Sequence, residues 1–99
     1  MKTVVMTDTG SADVLALTET PTPSPGPGQV LVRVAAAGVN FMDIGVRRGG
    51  AWSDMANPKP LGVEGAGRVI EVGDGVSGLG VGQRVAWVYA PGSYADHVV

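Results

Sequence analysis

Three valine-rich runs, QVLVRVA at 29–35, GRVIEV at 67–72 and QRVAWV at 83–88, are each fenced by glycine or proline. β-Branched residues in runs this short, closed off by turn formers, dictate strands rather than helices. In the first run Val30, Val32 and Val34 alternate with Leu31 and Arg33, so the three valines are expected on one face and Leu31 and Arg33 on the other. Sixteen glycines and seven prolines in 99 residues leave little room for anything long and helical. MKTVVMT reads as a further strand, with VLALT at 14–18 as its hairpin partner across the turn-like DTGS at 8–11. SYADHVV at 93–99 alternates and ends the chain in strand pattern.

One segment breaks the rule. NFMDIGVRR, residues 40–48, places Asn40 as a helix cap, Asp43 at the third helical position and Arg47 and Arg48 in the last turn before Gly49. Trp52 to Pro60 reads as a loop. ETPTPSPGPG at 19–28 reads as an extended surface crossing, because too little chain precedes it to make a separate domain. The expected architecture is therefore mainly β: one domain over residues 1–99, a partly open β-barrel with one short helix near 40–48.

The chain also excludes several kinds of chemistry. A net charge of −2 without any block of like charges argues against nucleic acid or an anionic membrane surface as partner. No window approaches the ~20 apolar residues of a spanning helix, and MKTVVMTDTG is not a signal peptide, which makes a cytoplasmic location the expectation. There is no cysteine, and one histidine, His97, cannot by itself build a typical zinc site. On its strand His97 is expected to face solvent or to be hydrogen-bonded. GDGVSG at 73–78 matches G-x-G-x-x-G, but LGVGQRV follows where a dinucleotide site needs a helix to open, so it reads as a hairpin turn. No βαβ unit, and so no Rossmann domain, is visible.

What remains is a small set of polar residues among apolar ones. Asn40 ends the run AAAGVN, and its amide must find partners, because burial unpaired would cost roughly 2–7 kcal/mol. It can cap the helix, or it can offer a donor and an acceptor to a ligand in a cleft. Asp43 suits the first helical turn electrostatically. Glu64 lies in LGVEGAG, where small residues bring backbones close around a carboxylate, and both an ion pair and a chemical role are open to it.

Taken in order, PGPGQVLVRVAAAGVNFMDIGVRRG, PLGVEGAGRVIEVGDGV and VGQRVAWVYAPGSYADHVV closely resemble the N-terminal GroES-like half of the medium-chain dehydrogenases/reductases. The fit is to the zinc-independent quinone oxidoreductases of zeta-crystallin type. Zinc-dependent relatives have a cysteine ligand where this chain has Asn40 and a histidine ligand where it has Val63, so the resemblance implies no zinc. It implies that Asn40 is catalytic and faces the nicotinamide of NADPH, that Phe41 and Trp52 line the substrate cleft, and that Asp43 and Glu64 are structural. Several relatives have a tyrosine where this chain has Gly45, which implies a wider pocket, or one walled by Trp52. The implied acceptor is a small quinone or α,β-unsaturated carbonyl, and the implied intact enzyme a homodimer. Relatives carry a nucleotide-binding domain for which this chain has no positions, so residues 1–99 are expected to be the catalytic-domain portion, inactive alone. An enoyl reductase of the same superfamily and a non-enzymatic GroES-like binding or assembly module are the alternatives.

Overall fold

In the computed structural model, which describes all 99 residues, the chain is organised around one long antiparallel pair, β3 (Val30–Gly38) with β5 (Glu64–Val72). On either side lie β6 (Arg84–Val88), beside β5, and β7 (His97–Val98), beside β3. A second sheet has β1 (Lys2–Met6) between β2 (Ala16–Glu19) and the short β4 (Lys59–Pro60). The sheets do not close on each other, giving the mainly β, partly open form that the strand pattern predicts. A single α-helix, α1 (Phe41–Arg48), follows β3, with Asn40 at its N-cap position as expected. No helix is long and apolar enough to cross a membrane.

The departures from expectation have local causes. β3 continues past Ala35 to Gly38, because β5 begins already at Glu64 and supplies partners as far as Gly38. Strict alternation in β3 fails: a register shift between Leu31 and Val32 turns both inward, at 4% and 5% exposure. Such bulges bend a strand and increase its twist, which helps a small sheet to curve round a core. Val14 belongs to a 3₁₀ turn, so the hairpin partner of β1 starts at Ala16. At the end of the chain only His97 and Val98 pair with β3. Residues 94–96 instead tie the sheets together: Val4 N–H donates to the Tyr94 carbonyl at 2.8 Å, and Asp96 N–H to that of Lys2 at 3.0 Å. His97 is half-buried, with its Nδ1 enclosed and without a hydrogen-bond partner.

The GDGVSG segment is the predicted turn. Gly73 donates to the Gln29 carbonyl at 2.8 Å, and a Cβ there would lie 2.1 Å from the Gly26 carbonyl oxygen, so the turn packs directly on the 26–29 backbone.

Met6, Val46 and Leu61 form a buried cluster with Val4, Met42, Trp52 and Tyr94 against it. Met42 and Val46 are four residues apart on α1, so the helix is held by one apolar stripe. Fully burying such a side chain is worth about 1.5–3 kcal/mol. This cluster fixes where the first turn of α1 stands.

Candidate active site

The site begins where β3 gives way to α1. Asn40 is extended, with φ −126° and ψ 154°, as an N-cap must be. Its side-chain carbonyl completes the outline of a capping box with the Asp43 N–H, without a cap hydrogen bond of good geometry. That N–H bonds the Asn40 main-chain carbonyl at 3.0 Å instead. The side-chain amide donates to Glu64: Asn40 Nδ2 lies 2.6 Å from Glu64 Oε2. Bonds to a carboxylate are short and roughly twice as strong as neutral ones. A carboxylate oxygen accepts, so Glu64 takes the Nδ2 end of the amide rather than its carbonyl. A second N–H and a carbonyl lone pair remain for a ligand.

Glycine makes this reach geometrically feasible. Gly38 and Glu64 are register partners, and a Cβ on Gly38 would lie 2.5 Å from Glu64 Oε2. Without that carbon the Glu64 side chain can lie across the end of β3 to Asn40.

Asp43 braces the same turn from the other side. Its Oδ2 accepts the Asn40 main-chain N–H at 2.9 Å and the Tyr94 hydroxyl at 2.5 Å. Its Oδ1 is enclosed and has no donor. Burial, together with the hydrogen bond to Asp43 and its negative charge, pushes the Tyr94 phenol well above the ordinary tyrosine range. Tyr94 is thus a neutral donor over the whole physiological range. It is the residue that sequence reasoning missed. The available signal was a tyrosine beside a glycine turn, whose hydroxyl needs a partner once the ring packs inward.

These groups border a cavity of about 420 Å³. Asn40, Asp43, Arg47 and Tyr94 form its polar side, and Leu15, Val39, Phe41 and Ile44 its apolar side. Val39 and Phe41 are 85% and 87% exposed, free to cover a flat ligand. The structure therefore brings Asn40, Phe41 and Asp43 together at one cavity, with Glu64 bonded behind Asn40. Trp52 lies elsewhere, half-buried against the Met6–Val46–Leu61 cluster and lining a separate cavity of about 260 Å³ with Asp54, Met55, Tyr89 and Pro91. A side-chain carbon at Gly45 would meet nothing within 4 Å. An entirely apolar groove along β3, β6 and β7, with Val32, Trp87 and Val98 among its walls, offers no polar side chain for chemistry.

Val63 is buried at 1% exposure with no donor atom to offer. No three histidine, cysteine, aspartate or glutamate side chains gather as a metal would require.

Residues 26–98 match the family model of the alcohol dehydrogenase GroES-like domain. A quinone oxidoreductase of Pseudomonas aeruginosa is 38% identical over 92 residues, covering 91% of this chain and 28% of its own length. A polyketide synthase of Streptomyces halstedii is 49% identical over 63 residues, covering 64% of this chain and 1% of the synthase. Among solved structures, the Escherichia coli quinone oxidoreductase complexed with NADPH superimposes with a TM-score of 0.91 at 30% identity. That match takes in 99% of this chain and 30% of the reductase, so the chain spans under a third of the reductases it is similar to.

Proposed function

The chain belongs to the alcohol dehydrogenase GroES-like domain family, and from that premise we propose that it is the substrate-side domain of an NADPH-dependent reductase acting on a quinone or α,β-unsaturated carbonyl without zinc. The observation that carries this reading is the Asn40 amide, oriented by Glu64 at 2.6 Å and opening on a cavity with an apolar wall. Such a cavity suits a flat ring bearing a polar substituent, which is the shape of both a nicotinamide and a quinone.

NADPH, when bound, supplies the hydride; with one proton from solvent the acceptor becomes hydroquinone or saturated carbonyl compound. Asn40 and Phe41 are the residues here that would hold the reacting edge. As hydride arrives, negative charge builds on the acceptor oxygen, and a donor already aimed at that oxygen stabilises it without reorganisation. The spare N–H of Asn40 is suited to that task. Val39, Phe41 and Ile44 would exclude water and hold the acceptor flat.

The polyketide synthase relative favours a second reading, reduction of an enoyl thioester, with hydride passing to the β-carbon and a proton to the α-carbon. Asn40 would then address the thioester carbonyl.

Replacing the matching segment of the Pseudomonas aeruginosa quinone oxidoreductase with this chain tests both. The expected result is quinone-dependent NADPH oxidation that a zinc chelator leaves unchanged. Turnover with an enoyl thioester alone would select the second reading, and a folded, NADPH-binding chimera that reduces neither acceptor would refute both. Asn40→Ala in the active chimera should lower turnover about tenfold or more. The accompanying loss of stability should stay near ~1 kcal/mol, the worth of a cap.

A further inference from the structure

We propose that Tyr94 is the positioning residue of this site: through Asp43, its hydroxyl sets the direction in which Asn40 presents its amide. The proposal rests on the reading of Asn40 as the ligand-facing group. Asp43 Oδ2 is the junction, taking the Tyr94 hydroxyl at 2.5 Å and the Asn40 main-chain N–H at 2.9 Å. Helix capping accounts for the second of these bonds and gives no reason for the first, which comes from a residue 51 positions away.

The two sides of the junction differ in rigidity. Tyr94 is fixed by its main chain, donating to the Leu61 carbonyl at 3.0 Å and accepting from the Val4 N–H at 2.8 Å, and its side chain packs on the Met6–Val46–Leu61 cluster. The Asp43 carboxylate has no anchor other than Oδ2, because Oδ1 meets no donor. Without the hydroxyl, the carboxylate keeps only the Asn40 main-chain N–H as a partner, and the Asn40 end of the helix loses its link to the fixed Tyr94 segment. Asn40 is thus held between Glu64 of β5 on one side and the Asp43–Tyr94 pair on the other.

The test follows the Asn40 side-chain NH₂ signals of the 99-residue chain by ¹⁵N NMR. In Tyr94→Phe these signals should move and exchange with solvent about fivefold faster or more, as for any hydrogen bond that opens more often. The main-chain amides of residues 44–48 should stay in place. Unmoved Asn40 signals would overturn the proposal, and so would a shift of the whole helix with them, which marks a merely structural role. A ring-fluorinated tyrosine at position 94, in a Tyr89→Phe chain, keeps the shape and strengthens the donor. It should displace the Asn40 signals in the opposite direction to Tyr94→Phe, and no displacement would also overturn the proposal. Neither arm uses NADPH or an acceptor, so a failed reductase assay would count against the proposed function and leave this result standing.

Discussion

The first turn of α1 and the loop around Trp52 are both attached to the Met6–Val46–Leu61 cluster, yet they are built in opposite ways. At the first turn, side chains from three separate segments converge: Asn40 and Asp43 from the helix start, Glu64 from β5, and Tyr94 from the segment that joins the sheets. At the loop, Trp52 adopts φ +50° and its cavity neighbour Tyr89 φ +62°, a left-handed conformation that bulky side chains rarely adopt. Its side-chain hydrogen bonding includes one from the ammonium of the buried Lys59 to the Ser53 carbonyl at 3.1 Å. One region is cross-braced by polar groups; the other carries backbone strain held by packing. Hydrogen-bonded bracing fixes a side chain's direction, which the role proposed for Asn40 needs, whereas packing fixes only its position.

The strongest way to break the comparison is to attack the brace from beneath. Gly62 has φ +91°, and a Cβ there would lie 2.2 Å from Ser93 Oγ and 2.9 Å from the Tyr94 main-chain nitrogen. Ser93 is 1% exposed and cannot swing aside, and the Tyr94 backbone is bonded on both sides. Gly62→Ala combines a strained backbone with overpacking, so a loss of about 3 kcal/mol or more is expected in urea unfolding. A loss under ~1 kcal/mol would mean that the Tyr94 segment gives way readily and is no brace.

A second, smaller effect needs no steric insult. Folding raises the Tyr94 phenol above its ordinary value, so the folded chain keeps a proton that the unfolded chain releases. The associated stability is complete below about pH 10, the ordinary tyrosine pKa, and is lost as the pH rises from there through the folded value. In a Tyr89→Phe chain, where Tyr94 is the remaining tyrosine, unfolding free energy should be flat in this contribution up to that point and then fall. Asp43→Asn removes the neighbouring charge but not the burial, so the fall should end at a lower pH and be smaller in total without vanishing. An unchanged end-point and total loss would show that the Tyr94–Asp43 bond contributes nothing in solution.

The same contrast explains what was legible in the sequence. The central strands, the GDGVSG turn and the helix at Asn40 follow from local patterns, valine-rich runs, glycine spacing and cap chemistry, and are present, the last strand only as His97–Val98. Asn40 was marked because an amide closing an apolar run needs partners. Which partner it takes was not readable: Glu64 is 24 residues away and comes alongside only through the β3–β5 register. Tyr94 was hidden for the same reason, since nothing in SYADHVV says that residues 94–96 leave the strand to join two sheets. The bulge in β3 has no local signal either, because Leu31 and Val32 both belong in a strand on either face. Trp52 shows the converse. Its place in a loop was evident, but the side of α1 on which its ring would settle depends on the core cluster, which forms only in three dimensions.

The smallest effect tests the strained side of the comparison. Tyr89 is 72% exposed at φ +62°, so its ring contributes little packing while its backbone adopts an unfavourable conformation. A left-handed residue costs roughly 1–2 kcal/mol, and asparagine tolerates the conformation best among residues with a side chain. Tyr89→Asn should therefore stabilise the chain by about 0.5 kcal/mol, a rise of roughly 2–4 °C in Tm for a domain of this size. If it destabilises by ~1 kcal/mol or more, the Tyr89 ring packs on its cavity neighbours strongly enough to offset the strain, and the loop is braced after all. If the gain appears, folding alone does not account for a tyrosine there. Strain retained against stability clusters at functional sites. The Trp52–Tyr89 cavity would then be the next place to look for a ligand contact.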